Sequence, residues 1–220
     1  MIFPNFEIEK NYWNQGKIVF GIDEAGRGCL AGPVVAAAVA FPMNFQFNMN
    51  DVNIKINDSK KLSKTKREKA FEFIQKNSIY FNYSIVDNSI IDKYNILQAT
   101  QIGMNLCIID KPNTKSVLLV DGNYFQSLFD DEYATIIKGD AKSMTIAAAS
   151  IIAKVVRDRF MEEYLQTLYP SYSFSTHKGY ATEKHFKEIK KFGKTSFHRN
   201  SFLKKFNLEL ETGNFQLKLF

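Results

Sequence analysis

Hydrophobic positions along the chain fall into short blocks and helical stripes that alternate. Residues 17–22 (KIVFGI) and 33–41 (PVVAAAVAF) are dense apolar runs, the second bounded by Gly32-Pro33 and Pro42, and both predict strands. Residues 62–74 place apolar side chains at 62, 70, 71, 73 and 74 among charges, an amphipathic helix, and 79–86 (IYFNYSIV) predicts a further strand. Ser89 followed by Asp92 has the spacing of a capping box, with Ile96, Leu97, Gln101, Met104 and Ile108 after it at helical spacing.

Two short buried-type strands come next, 117–120 (VLLV) ending at Asp121 and 135–137 ending at Lys138-Gly139-Asp140. From Asp140 a helical segment is expected to run to about Leu168, with Ala148, Ile152, Val155, Val156, Phe160, Tyr164 and Leu168 on one face and Pro170 as its stop. A helix near 182–191 and a turn at Gly193 close the readable part. Strands and helices interleave too closely for two halves. The pattern therefore predicts one α/β layer domain over 1–220, with a core at about 17–168 and a helical, basic C-terminal extension at about 169–220. There is no internal repeat, and the only biased tract is the Asn-rich loop at 44–57.

Composition adds little to this and removes several classes. A hydrophobic share of 45% supports a core, and a net charge of +6 favours polyanionic partners only weakly. The excess of Lys and Arg collects at 178–205, which makes that end the candidate phosphate contact. No window reaches the roughly 18 apolar residues of a membrane span, and MIFPNFEIEK lacks the order of a signal peptide, so a cytoplasmic location is expected. Cys29 and Cys107 are too few and too far apart for a disulfide framework or a thiolate zinc site.

The chemistry lies in acids that recur where apolar strands stop: Asp23 and Glu24, Asp121, and Asp140. Functional groups converge at strand ends in open α/β sheets. Two like charges at about 4 Å repel by roughly 4 kcal/mol at an effective dielectric of 20, so such a cluster calls for a cation. Oxygen donors without His or Cys partners suit Mg2+ or Mn2+, and two such ions about 3.5 to 4 Å apart are suited to in-line phosphodiester cleavage. For any one acid, a turn or cap is the more common role. Asp87 fits that role, and Asp158, in RDRF, reads as an ion-pair partner of Arg157 or Arg159.

Gly26, Gly28 and Ala31 also satisfy the weak dinucleotide fingerprint G-x-G-x-x-A, which would make the chain a nucleotide-cofactor enzyme. Asp23 and Glu24 would repel a pyrophosphate there, and Pro33 opens a strand where the fingerprint needs a helix. A catalytically silent nucleic-acid-binding domain is a third reading, and it would be expected to lack one of the acids.

The run DEAGRGCLAGPVVAAAV closely resembles the signature of the ribonuclease HII family. The likeness continues in NDSKKLS (57–63), IDKYNILQAT (91–100), LLVDGN (118–123), KGDAKSMTIAAASIIAKVVRD (138–158), HKGYAT (177–182) and HRNSF (198–202). The sister type, ribonuclease HIII, has an extra N-terminal domain and lacks the GRG triplet. The resemblance implies a ribonuclease H-like mixed sheet flanked by helices. It also implies endonucleolytic cleavage of RNA in RNA/DNA hybrids and incision 5′ of single ribonucleotides in duplex DNA, leaving a 3′-hydroxyl and a 5′-phosphate.

It further implies that Asp23, Glu24, Asp121 and Asp140 hold two divalent ions, Mg2+ or Mn2+, with Asp158 outside the set. Gly26, Arg27 and Gly28 would read the 2′-hydroxyl, and Tyr180 would pack against the next, deoxy, sugar. Lys60, Lys61, Lys142 and Lys178 are candidate phosphate contacts. His177, His185 and His198 are expected in structural or phosphate roles, the chain is expected to be a monomer, and no membrane contact is expected. The family commonly binds the sliding clamp through a C-terminal peptide with paired aromatics. GNFQLKLF holds Phe215 and Phe220 but departs from that peptide, so a packed amphipathic end is expected instead. The arm to about Gln15 is left unassigned.

Overall fold

The computed structural model describes residues 4–46, 56, 59 and 62–204. Lys60, Lys61, most of the Asn-rich loop, and the tail with Phe215 and Phe220 lie outside the described residues. The elements in chain order are α1 (Glu7–Trp13), β1 (Ile18–Ala25), β2 (Val34–Ala40), α2 (Lys64–Asn77), β3 (Tyr80–Val86), α3 (Asn88–Leu106), β4 (Ser116–Asp121) and β5 (Glu132–Ile136). They continue with α4 (Met144–Arg159), the short α5 (Gln166–Leu168) and α6 (Phe174–His177), and α7 (Glu183–Phe192).

The five strands form one mixed sheet in the order β3-β2-β1-β4-β5. β1 and β2 are antiparallel, as are β2 and β3, while β4 and β5 run parallel to β1. β2 is buried throughout because both of its faces are covered. Val35, Ala37 and Val39 pack with Ala70, Phe71 and Ile74 of α2 and with α4, whereas Ala36, Ala38 and Ala40 meet Met104 of α3 and Ile108. Alternation at period two explains why a strand of small residues serves two helical layers at once.

α4 crosses β1 at very close range. A Cβ on Gly21 would land on the backbone of Thr145 and Ile146, far inside van der Waals contact, so only glycine admits this approach. α1, an element that the hydrophobic pattern does not predict, is short and is fixed by Trp13 packing on Val19, Val117, Leu119 and Ile146.

Three local expectations are corrected. The cap of α3 is Asp87, whose carboxylate accepts from Ser89 N–H (2.7 Å) and Ile90 N–H (3.2 Å). Asp92 instead reaches across to the backbone and side chains of Asn200 and Ser201. α3 is also kinked at Asn95 (φ 67°), whose side chain caps the second half through Leu97 and Gln98 N–H. Leu97 is left exposed there, while Met104 and Ile108 are buried.

Asp158 pairs with Lys154 (2.8 Å) and Arg67 (3.4 Å), not with Arg157 or Arg159. On a helix the i−4 neighbour shares its face, and the adjacent residues do not. The long helix also changes its winding at Phe160–Leu165, where it becomes a π-helix. Each turn there takes up extra chain, so the buried stripe shifts from Tyr164 and Leu168, both half exposed, to Met161 and Leu165.

This shift predicts that Leu165→Ala destabilises the fold by about 2–5 kcal/mol while Leu168→Ala stays within about 0.5 kcal/mol. Urea unfolding of the two variants checks it, and equal losses would contradict the π winding.

Candidate active site

β1 continues through Asp23 and Glu24, so these acids lie on the strand instead of following it, opposite Ala37 and Ala36. Ile22 pairs with Val120 on parallel β4, which brings Asp23 beside Asp121, the last residue of that strand. Asp121 in turn pairs with Ile136 at the end of β5, from which the chain turns through Lys138, in the left-handed region, into a 3-10 turn over Gly139–Ala141. The Gly139 N–H donates to Asp121 Oδ1 at 2.6 Å. A Cβ at Gly139 would stand 2.6 Å from Ile146 Cδ1 and 3.2 Å from that carboxylate, so glycine lets the turn carrying Asp140 close on Asp121.

All four acids line one cavity of about 200 Å³, together with Ala25, Gly26, Arg27, Gly28, Ser59, Ser150, Lys154 and Tyr180. Burial, then the charges of Glu24 and Asp121, push the Asp23 carboxyl well above the usual carboxylate range. Hydrogen bonds from the Glu24 N–H (2.7 Å) and the Ser150 hydroxyl oppose this shift without cancelling it. Ser150 also meets Ser59 Oγ at 3.1 Å, and Glu24 pairs with Arg27 at 3.2 Å.

Such a site favours a bound cation, because an opposite charge offsets both the burial and the like-charge repulsion behind the Asp23 shift. The donor set is carboxylate and hydroxyl oxygen without thiol or imidazole, which fits a hard divalent ion. Among the described residues, no three such side chains already converge as a closed metal cage; the acids line the wall of the cavity.

The segment 26–33 beside the acids is held from behind by two fully buried arginines. Arg157 donates to the carbonyls of Pro33 (3.0 Å), Lys178 (2.9 Å) and Ala31 (3.1 Å). Arg199 donates to those of Gly32 (3.0 Å), Arg27 (2.8 Å), Gly26 (2.8 Å) and Pro33 (3.1 Å), and burial lowers its pKa to about 10. Gly26 has φ +97°, and a Cβ there would strike Arg157 and lie 2.8 Å from Pro33 O. At Gly28 a Cβ would meet nothing within 4 Å, so its lack of a side chain serves no internal packing.

Tyr180 is half-buried at the cavity edge, with Lys154 Nζ 5.2 Å from its ring centroid. Its backbone rests on the three histidines, all buried. Gly179 N–H donates to His177 Nδ1 (3.0 Å), so His177 Nε2–H donates to Glu188 (2.9 Å). Thr195 N–H donates to His198 Nδ1 (2.8 Å), His198 Nε2–H to His185 Nε2 (3.0 Å), and His185 Nδ1–H to the Tyr180 carbonyl (2.9 Å). The chain is complete with every ring neutral. Burial, with the neighbouring imidazoles, holds His185 down at about 3 and His198 at about 4.

Lys142 is exposed and Lys178 pairs with Glu162 at 2.5 Å; neither lines the cavity. Lys154, Ser59, Ser150, Arg157 and Arg199 are participants the sequence pattern did not single out. An arginine within the apolar stripe of α4 was the one signal that could have found Arg157.

Solved structures place the fold among ribonuclease H-like proteins. Ribonuclease H2 from Pyrococcus horikoshii OT3 superposes with a TM-score of 0.67 at 23% identity over 88% of this chain and 99% of that one. Bst ribonuclease HIII, solved in complex with Mn2+, gives 0.61 at 18% identity over 80% and 63%. The family model described as ribonuclease HII matches residues 20–205, and the ribonuclease HII of Chlorobaculum parvum is 45% identical over 89% of this chain and 94% of its own. The chain belongs to the ribonuclease HII family. It is a hydrolase, an endonuclease of RNA/DNA hybrids. No described helix is long and apolar enough to cross a membrane.

Two stability outcomes follow from the charges. A raised Asp23 pKa means that its favourable contribution is present at low pH and is lost as pH rises through the folded value. Asp23→Asn therefore raises the thermal midpoint at pH 7.5 without divalent ions, on the order of 2–4 °C per kcal/mol regained. A lowered midpoint in calorimetry would show that Asp23 is not under charge stress. The histidines act in the opposite sense. All three folded pKa values lie below the ordinary 6.5, so stability is full above about pH 6.5 and falls as pH drops, by about 2 kcal/mol at pH 5 for each of His185 and His198. Circular dichroism melts between pH 7 and 5 check this, and a flat profile counts against a neutral chain.

Proposed function

We propose that the protein incises duplex DNA on the 5′ side of an embedded ribonucleotide, using divalent metal held by Asp23, Glu24, Asp121 and Asp140. The observation that carries this reading is that the acids and the 26–28 backbone share one small cavity. Mg2+ or Mn2+ bound there would neutralise charge at the scissile phosphate and activate the attacking water.

The protein supplies recognition and placement. With the Gly26 and Arg27 carbonyls turned onto Arg199, planar trans peptides aim the Arg27 and Gly28 N–H groups the opposite way. Neither N–H donates to another described residue, so both can meet an oxygen of the ligand. A 2′-hydroxyl is the group that separates RNA from DNA at one residue, and Gly28 leaves it room. Tyr180, fixed by the histidine chain, packs on the following sugar, where a hydroxyl would crowd its ring. Lys60, Lys142 and Lys178 would then contact phosphate; Lys142 and Lys178 stand outside the cavity lining, and Lys178 must first leave Glu162. The single domain with a C-terminal extension follows the same reading, the extension carrying the basic field.

A labelled duplex with one ribonucleotide, incubated with Mg2+ or Mn2+, is expected to be cut 5′ of that residue. An intact strand at high enzyme with either ion overturns the proposal. In the same assay Gly28→Val should lose about 100-fold in cleavage, as a 2–3 kcal/mol clash would produce. Its melting temperature should be unchanged, because the added side chain meets only open space in the free protein.

A further inference from the structure

The carboxyl of Glu9 has no solvent access and is not among the acids that line the cavity. It belongs to α1, outside the segment that matches the family, which begins at residue 20. Its Oε1 accepts from Ser143 Oγ–H (2.7 Å), Thr145 N–H (2.9 Å) and Thr145 Oγ1–H (3.0 Å). Its Oε2 is buried with no hydrogen-bond partner among the described residues.

These contacts complete the start of α4. The opening amides of a helix have no partner within it and must find one elsewhere. Here Ser143 N–H bonds back to Gly139 O (2.8 Å), Met144 N–H to Asn5 O (3.0 Å), Thr145 N–H to Glu9, and Ile146 N–H to Ser143 Oγ (3.3 Å). Asn5 N–H also donates to Lys142 O at 3.3 Å. The N-terminal arm thus grips residues 142–145 from outside, by backbone at Asn5 and by a buried carboxyl at Glu9. Burial pushes the Glu9 carboxyl above its ordinary pKa, and the hydrogen bonds from Thr145 and Ser143 oppose that shift.

The gripped segment follows Asp140 directly. Gly139, whose carbonyl receives the Lys142 and Ser143 N–H groups, donates its own N–H to Asp121. A displacement at 142–145 therefore reaches Asp140 through a tight turn and Asp121 through one short hydrogen bond.

We propose that Glu9 is a positioning residue for cleavage, a buried latch that sets the turn carrying Asp140 against Asp121. The proposal rests on the reading of Asp140 as a metal-holding acid, and the test separates the two. Amide hydrogen exchange of residues 139–145, referenced to β2 amides, reads the latch without metal or substrate. Glu9→Ala is expected to speed that exchange about ten-fold, and Glu9→Gln, which keeps one acceptor oxygen and the side-chain volume, to restore most of the protection. Ile108→Ala, which loosens the opposite layer of the sheet, should leave the referenced rates unchanged.

In kinetics, Glu9→Ala should lower kcat and raise the Mn2+ concentration needed for half-maximal rate, each about ten-fold, with KM for the duplex within about two-fold. Exchange at 139–145 that follows β2 in every variant overturns the latch. So does faster exchange with unchanged kcat and metal requirement. If alanine does not fold, Glu9→Asp decides: one methylene shorter, it draws the carboxyl away from Ser143 and Thr145, so faster referenced exchange at 139–145 with a higher Mn2+ requirement is expected, and wild-type values of both overturn the latch. Failure of the unaltered protein to cleave would count against Asp140 as a metal-holding acid, while the exchange result would stand.

Discussion

Two guanidinium groups withdrawn from water hold together what would otherwise be three separate pieces of chain. Burying such a charge costs several kcal/mol unless its donors are used. Arg157 and Arg199 use theirs on the carbonyls of 26, 27, 31, 32, 33 and 178. Arg157 comes from the helix under the sheet and Arg199 from the C-terminal segment, so the 26–33 loop cannot move without both. Leu30 and Ala31 then join Met161, Leu165, Tyr172, Phe174, Ile189 and Leu203 in a core of their own. The C-terminal helices are thereby packed against the loop that lines the cavity, and Tyr180, from the turn between two of them, joins its lining.

The same cavity uses burial in opposite senses on its two sides. Behind the loop, every nitrogen of the two buried guanidinium groups has a carbonyl partner, which gives rigidity. At Asp23, buried charge is set against like charge and is left under stress that a cation relieves. Below Tyr180, the histidines escape that conflict by staying neutral, with each ring's proton assigned to one neighbour. A site arranged in this way is stable around an unsatisfied centre.

Much of this was legible in the sequence. Dense apolar runs gave β1, β2, β3 and β4 to within a few residues, and the recurrence of acids at their ends pointed to the region where the structure gathers Asp23, Glu24, Asp121 and Asp140. Errors arose where a local signal competed with a distant partner. Ser89 and Asp92 had capping spacing, yet Asp92 was engaged by Asn200 and Ser201, and Asp87 took the cap. Asp158 had arginines on both sides, but helical geometry turned it to Lys154, and tertiary contact brought Arg67. The face of the long helix failed at Phe160, since periodicity cannot announce a π turn. Arg199 and Glu9 were out of reach because their partners are backbone groups, or side chains more than a hundred residues away.

Gly21 has a consequence beyond its own position. It lies two residues before Asp23, at the point where the strand touches the backbone of α4, and the next turns of that helix carry Ser150 and Lys154. A single methyl group there would act as a wedge, prying strand from helix and separating Asp23 from the hydroxyl that steadies it. The spacing of the cavity is thus set by the absence of an atom outside it, which makes position 21 far less tolerant of change than its distance from the chemistry suggests.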